Sequence, residues 1–536
     1  MKRWVDDWPV MRLESHYGDR VVRCFAERPH SLYELLATAC LMYPDREAVV
    51  CGTQRLTWAE LHEQTARLAA GMARHGIGAG DRVAMLIGNR IEFVTTLYAI
   101  AQLGAISVPI SIREQTPGLA YMVNHCGAAM LLHEADLADR LPTAADIPTV
   151  HTRVSFGVCD GSVDYTTLMA GIGTAAVAVV QEEDVAVIMY TSGTTGNPKG
   201  ATLTHMGIAH SVLHYQIAMG LSQQDASVAA VPLSHVTGLV ALVATMARCA
   251  GKLVIMPAFK AAEFLLLAAR ERMTHSLMVP AMYKLCLLQD DFDRHDLSAW
   301  RVGAYGGAPM PVATIDTLAH ELPNLVLMNC YGSTETTSPS TLMPQGATAA
   351  HSDTVGRALA CAEIAVFDDD GREVPHGSLG EIWIKGLMVV KDYWDNPAAT
   401  AANFTAGFWH SGDIGSIDAE GYVKVVDRKK DMINRGGYKI YTIEVENALY
   451  AHPSVLECAV VAKPCPVLGE RVHAFVALRD GGATAQTLTL HCAQRLSDYK
   501  VPESFTLSDT PLPRNANGKL VKRALRDQVA ADTPAP

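Results

Sequence analysis

The 536-residue sequence predicts two domains, a large multi-layer α/β domain over residues 1–429 and a small α+β domain over 430–536. Three observations carry this. The chain is longer than one core organises. Apolar runs of helix and strand type alternate through roughly the first four hundred residues, as buried strands covered by helices require. From about Ile433 the texture changes to one helix-like segment followed by strand candidates, enough for a separate small domain.

In chain order, Trp58 to His75 repeats with helical period, and Val83-Ala84-Met85-Leu86-Ile87 reads as a buried strand. A second strand candidate, Val185-Ala186-Val187-Ile188-Met189, runs into a polar loop. Leu325 to Met328 and Tyr422 to Val426 are further strand candidates. Thr442 to Tyr450 reads as a helix, with Cys458 to Ala462 and Ala474 to Leu478 as the strands of the small domain. Asp427-Arg428-Lys429-Lys430-Asp431 has little to bury and reads either as a linker with a hinge near 430 or as a solvated turn. Asp532 to Pro536 reads as a frayed end.

Composition narrows the function classes. With 49% hydrophobic and 19% charged residues the chain is globular, and a net charge of −12 argues against nucleic-acid binding by a general field. The twelve cysteines include no C-x-x-C pair, which fits reduced thiols and a cytoplasmic location. His210 and His214, at i and i+4 without an adjacent glutamate, are expected as a pair on a helix surface instead of a metal site. The opening Met1 to Trp8 lacks the apolar core of a signal peptide, and Arg248 and Lys252 interrupt the most apolar stretch, so no membrane span is expected.

The loop after the second strand carries the strongest chemical signal. Thr191, Ser192, Gly193, Thr194, Thr195, Gly196 and Lys199 combine hydroxyls, freely turning backbone N–H groups and one cation, a set suited to phosphate oxygens. Pro198 breaks the Walker spacing, so a different nucleotide-binding class is needed; a plain polar loop between a strand and a helix would share the composition. Four further stretches follow in order. They are Tyr331-Gly332-Ser333-Thr334-Glu335, His410-Ser411-Gly412-Asp413, Arg428 after its strand, and Pro513 to Lys519.

Together these five motifs resemble the adenylate-forming superfamily of acyl-CoA synthetases, adenylation domains and luciferases, over nearly the whole chain from Leu56 to Lys519. Trp409 to Gly415, continuing to Asp431, is most similar to the fatty-acyl and aryl CoA ligases. The resemblance implies ATP, Mg²⁺ and coenzyme A, with the large domain binding AMP and a mobile small domain. It assigns the loop from Thr191 to Gly200 to the β- and γ-phosphates, Thr334 to the α-phosphate and Glu335 to the metal. Tyr331 and the segment Gly306-Gly307-Ala308-Pro309 border the adenine, and Gly332 is counted with the cofactor-binding residues. Asp413 and Arg428 take the ribose, while Lys519 bridges carboxylate and α-phosphate. Rotation at Lys430 then presents Gly436, Gly437 and Lys439 to the thiol of coenzyme A.

His235 is counted both with the catalytic groups and with a pocket formed by Val236, Leu239, Tyr305, Gly306 and Cys330. No acid lies near His235 to hold a substrate ammonium, and Gly332 stands where acetate-type relatives carry tryptophan. Gly306 and Gly332 are therefore expected to leave depth for an uncharged fatty or aryl acid. Ser234, Ala358 and Asp392 depart from the family pattern without removing a catalytic group. The implied partners are the carboxylic acid, ATP and coenzyme A; a homodimer stays open, and a carrier protein enters only if the acyl group is loaded onto phosphopantetheine. A binding protein that has kept the fold and a luciferase-like oxygenase share the motifs.

Overall fold

The computed structural model describes residues 8–170, 173–191, 197–479, 482–514 and 520–531. The chain divides into two compact units. One comprises Met1–Ile364, Trp383–Trp409 and Glu420–Val423; the other comprises Ala365–Ile382, His410–Ala419 and Lys424–Pro536.

The larger unit is built on two sheets. One has seven strands in the order Lys199–Thr204, Val185–Thr191, Ile106–Pro109, Arg82–Leu86, Met130–Glu134, Thr152–Phe156 and Val163–Asp164. The other has nine, in the order Arg357–Ala358, Thr341–Leu342, Val326–Tyr331, Val302–Gly306, His275–Met278, Ala226–Ala229, Lys252–Ile255, Glu47–Cys51 and Gln54–Thr57. The central pairings are parallel. Strands such as Ile106–Pro109, Ala226–Ala229 and His275–Met278 are buried at every residue, which is why they read as continuous apolar runs. Val83, Val187, Val228 and Val302 belong to one core that joins the two sheets.

Helices fill the space beside the strands. Trp58–Arg74 starts at a reciprocal cap, in which the Glu60 N–H donates to Thr57 Oγ1 (3.2 Å) and the Thr57 N–H to Glu60 Oε2 (2.8 Å). It buries Trp58, Leu61, Thr65, Leu68 and Met72, one stripe at helical spacing. Ile91–Gln102 buries all but Glu92.

His205–Met219 corrects the expected surface pair. His210 and His214 are both fully buried, because this helix is enclosed on nearly every side. Each buried imidazole accepts a backbone N–H from a distant segment: His205 Nδ1 from Leu32 (3.1 Å), His210 Nε2 from Phe25 (3.2 Å) and His214 Nε2 from Cys361 (3.4 Å). His210 also donates through Nδ1 to Met206 O at 2.9 Å, which fixes a neutral tautomer.

In the smaller unit, one sheet orders Tyr438–Ile440, Ile433–Arg435, Gly469–Leu478 and Val455–Cys465, with Ser504–Ser508 pairing alongside Gly469–Leu478. Helices Thr442–Tyr450, Ala485–Ala493 and Lys522–Ala531 accompany it, and Leu449, Val460, Val472, Val476 and Leu488 form its core. The charged run 427–431 is not all solvated, as its composition suggested: Asp427 is 1% exposed. Its carboxylate accepts the Thr442 N–H and, at 3.0 Å, the Thr442 hydroxyl, so it holds the start of that helix.

The buried histidines give a pH dependence. Burial lowers His205, His210 and His275 to about 4 and His214 well below its ordinary value, so the native state binds fewer protons than the unfolded chain, whose histidines titrate near 6.5. Their neutral-state stabilisation is complete above pH 6.5 and is lost as pH falls toward 4. Calorimetry at pH 5.5 in buffers of different ionisation enthalpy should show proton uptake on unfolding and a lower melting temperature than at pH 7.5; release of protons would contradict it.

Candidate active site

Parallel strands place the carboxyl ends of remote segments along one edge, where open α/β sheets bind ligands. In the larger unit Val302–Gly306 and Val326–Tyr331 are neighbours, with Gly306 opposite Cys330. The exposed turn Gly307-Ala308-Pro309 leaves the first strand, with Gly307 in the left-handed region at φ 78°. The second strand ends on half-buried Tyr331 and continues through Gly332 and Ser333 into a short turn of helix, Thr334–Thr336. The adenine-border and α-phosphate candidates are thereby brought to one edge.

Glu335 projects from that turn into the protein and is only 7% exposed. Its carboxylate accepts three hydroxyls: Thr191 at 3.1 Å and Tyr393 at 3.1 Å on Oε1, and Ser333 at 2.6 Å on Oε2. All three donors are neutral hydroxyls. Burial, with the charge of Glu335 close by, raises the Tyr393 hydroxyl far above its usual range and keeps it protonated as a donor.

Thr191 ends Val185–Thr191 and pairs directly with Lys199, the first residue of Lys199–Thr204. The glycine- and hydroxyl-rich loop therefore joins two antiparallel strands, not a strand and a helix, and the helix begins at His205. Ser192, Gly193, Thr194, Thr195 and Gly196 lie outside the described residues, as does Lys519. The Lys199 ammonium sits 5.0 Å from the centroid of the Tyr393 ring and has no carboxylate partner among the described residues.

The smaller unit holds the other candidates. Arg428 Nε lies 2.6 Å from Asp413 Oδ1, and Asp413 is 4% exposed. The Asp413 N–H donates to Ser411 Oγ (3.0 Å), whose hydroxyl donates to Ile382 O (2.6 Å), so the part of strand Phe408–Ile417 that carries the carboxylate, and not a turn, is fixed by hydrogen bonds. Lys430 is exposed in the turn after Val423–Arg428. Gly436 and Gly437, at φ 59° and 93°, form the two-residue connection between Ile433–Arg435 and Tyr438–Ile440, which requires two positive φ angles in succession. Lys439 is exposed on the second of these strands.

Among the pocket candidates, Tyr305 and Cys330 are 1% and 7% exposed on neighbouring strands, while His235 and Val236 are half-buried. Leu239 is fully buried in a π-helical segment, Thr237–Ala244, and belongs to the core. Two expectations about glycine need correction. A Cβ on Gly306 would lie 2.4 Å from the Cys330 carbonyl oxygen, so its missing side chain allows strand contact and does not deepen a pocket. A Cβ on Gly332 would lie 3.1–3.3 Å from Thr336, Pro339 and Ser338, which leaves little free space there either.

Residues 36–394 match the family of AMP-binding enzymes, and residues 444–519 match the AMP-binding enzyme C-terminal domain. The chain belongs to this family. It is similar to a feruloyl-CoA synthase of Amycolatopsis (34% identity, 90% of this chain, 96% of the relative). It is also similar to the long-chain-fatty-acid–CoA ligase FadD13 of Mycobacterium tuberculosis (32%, covering 90% and 94%). Among solved structures, o-succinylbenzoate CoA synthetase from Bacillus subtilis, in complex with its acyl-adenylate intermediate, aligns at TM-score 0.84 and 28% identity over 95% of this chain and 99% of that one. The AMP-binding family member described here is accordingly an ATP-dependent acyl-CoA synthetase, an acid–thiol ligase that forms AMP. Among the described residues no helix is long and apolar enough to cross a membrane.

Sequence reasoning missed Tyr393, whose neighbour Asp392 stood out only as a departure from the family pattern. Asp392 Oδ1 accepts the Thr202 hydroxyl at 2.6 Å, which anchors this segment to Lys199–Thr204. Gly238 was also passed over, although a Cβ there would meet Pro232 O at 2.2 Å. For Gly306 the steric reading is directly testable: Gly306→Ala should destabilise the protein by about 1–3 kcal/mol, as overpacking does. A melting temperature equal to that of the parent protein would show that the strands can separate there.

Proposed function

We propose that the protein activates an uncharged fatty or aryl carboxylic acid as its acyl adenylate and passes the acyl group to coenzyme A. The observation that carries the reading is the buried Glu335 carboxylate held by neutral hydroxyls at the carboxyl edge of the sheet, near a lysine that has no carboxylate partner among the described residues. Adenylation brings one anion against another. A site for it needs cations and fixed donors placed where charge develops.

In this reading Glu335 holds Mg²⁺, for which a carboxylate oxygen is the suitable hard ligand. The ion when bound neutralises phosphate charge. Lys199 and the hydroxyls of the loop beginning at Thr191 bind phosphate oxygens, and Thr334 donates to the α-phosphate. Asp413 presents carboxylate oxygens to a ribose diol, with Arg428 fixing its orientation. Lys519 supplies the cation at the reacting oxygens, and Lys430 is the hinge between domains 1–429 and 430–536. Rotation there brings the Gly436-Gly437 turn and Lys439 to the thiol. The twelve free thiols fit a cytoplasmic location.

His235, Val236, Tyr305 and Cys330 supply an acyl lining without a fixed charge, which supports an uncharged acid. The relatives named for feruloyl and long-chain fatty acyl substrates point the same way. Pyrophosphate release measured over acetate, hexanoate, decanoate, benzoate, ferulate and a dicarboxylate should be highest for one of the uncharged acids longer than propionate. A preference for acetate or the dicarboxylate would overturn the substrate class.

The half-reactions should separate by mutation. Lys519→Ala is expected to lower adenylation by about 10²–10³, the usual effect of losing one transition-state donor, and to spare thioester formation from supplied acyl adenylate. Lys430→Pro, which restricts the hinge torsion, should do the reverse. Equal loss of both steps in each variant would refute the division of labour.

A further inference from the structure

Tyr393 stands outside every motif, yet its side chain touches both charged groups of the larger unit's site. Its hydroxyl donates to Glu335 Oε1 at 3.1 Å, and its ring lies 5.0 Å beneath the Lys199 ammonium. A tyrosine that only filled space would need neither contact. The residue is 4% exposed and packs edge-on against Phe404 at 5.8 Å, so the ring has little freedom to turn.

The backbone around it is equally constrained. Tyr393 bridges Ala201, the Trp394 N–H donates to Gly200 O at 2.7 Å, and the Thr202 N–H donates to Asp392 O at 3.3 Å. These bonds lay the segment along Lys199–Thr204. At its other end the Val390 N–H donates to Glu335 O at 2.9 Å, tying it to the turn that carries the carboxylate. Five residues thus connect the strand of the lysine to the turn of the glutamate.

We propose that Tyr393 is a positioning residue that holds the Glu335 carboxylate for the metal through its hydroxyl and the Lys199 ammonium for phosphate through its ring. Direct pairing of Lys199 with Glu335 would cancel the two charges the reaction needs. Tyr393 gives each a partner without cancelling either, because the ring face attracts a cation and the hydroxyl donates to an anion. The proposal rests on the assignment of Glu335 to the metal.

Calorimetric ATP binding, with Mg²⁺ and again with EDTA, separates the two contributions without relying on turnover. Tyr393→Phe keeps the ring and loses the hydroxyl. It should leave the EDTA affinity unchanged and cut the Mg²⁺-dependent gain about ten-fold, as expected for one hydrogen bond to a charged group. Tyr393→Leu should in addition weaken ATP binding in EDTA by about three- to thirty-fold through loss of the cation–π contact. In a Glu335→Gln background, Tyr393→Phe should have no further effect on the Mg²⁺-dependent gain.

If Glu335→Gln removes the gain while Tyr393→Phe keeps it in full, the proposal is overturned and the metal assignment stands. If Glu335→Gln itself keeps the gain, both fall. An undiminished Tyr393→Phe effect in the Glu335→Gln background would reduce Tyr393 to packing and overturn the proposal. Should Tyr393→Leu fail to fold, the Tyr393→Phe cycle alone decides.

Discussion

A carboxylate held inside the protein by hydroxyls, its partners among the described residues, sets the terms for the candidate site. Taking Glu335 out of water costs several kcal/mol, and an arginine or lysine partner is the common remedy. Here Thr191, Ser333 and Tyr393 donate instead, from the end of one strand, the residue before a short helical turn, and a later extended segment. Hydrogen bonds of this kind offset much of the desolvation of a carboxylate. The same bonds fix the mutual position of three segments that are remote in sequence. A shift of any one would leave a buried charge short of donors.

The smaller unit solves a similar problem by a different route. Lys522 lies 2.7 Å from Glu446 and donates at 2.7 Å to the hydroxyl of Thr442, which in turn donates to Asp427 at 3.0 Å. Burial raises both carboxyl groups, and the single ammonium pulls them back toward the ionised form. One ammonium thus serves two carboxyl groups in a structural centre that joins the helices starting at Thr442 and Lys522 to the strand Val423–Arg428. At Glu335 the partners among the described residues are hydroxyls, with no ammonium or guanidinium.

Asp413 lies between these extremes. It is paired with Arg428, but the guanidinium is 41% exposed, so water screens the pair and it adds little stability. Its value is directional: the Ser411 hydrogen bonds and the arginine hold one carboxylate edge in a fixed attitude.

The alternation of apolar runs determined the α/β class, because strands covered on both faces must be apolar throughout. The helix Thr442–Tyr450 and the strands about Val185, Leu325 and Cys458 were legible from period and composition alone. The order of five motifs over nearly the whole chain made the family legible by resemblance, because each motif is local in sequence. Tertiary structure decided what depends on neighbours distant in sequence. His210 and His214 looked like surface residues until the packing of Phe25 and Cys361 enclosed them. Gly306 suggested depth until the strand beside it put the Cys330 carbonyl where a side chain would go. Tyr393 carries no signal in its own stretch of sequence, because its significance comes from a lysine and a glutamate 194 and 58 residues away, brought to it by sheet pairing and a buried turn.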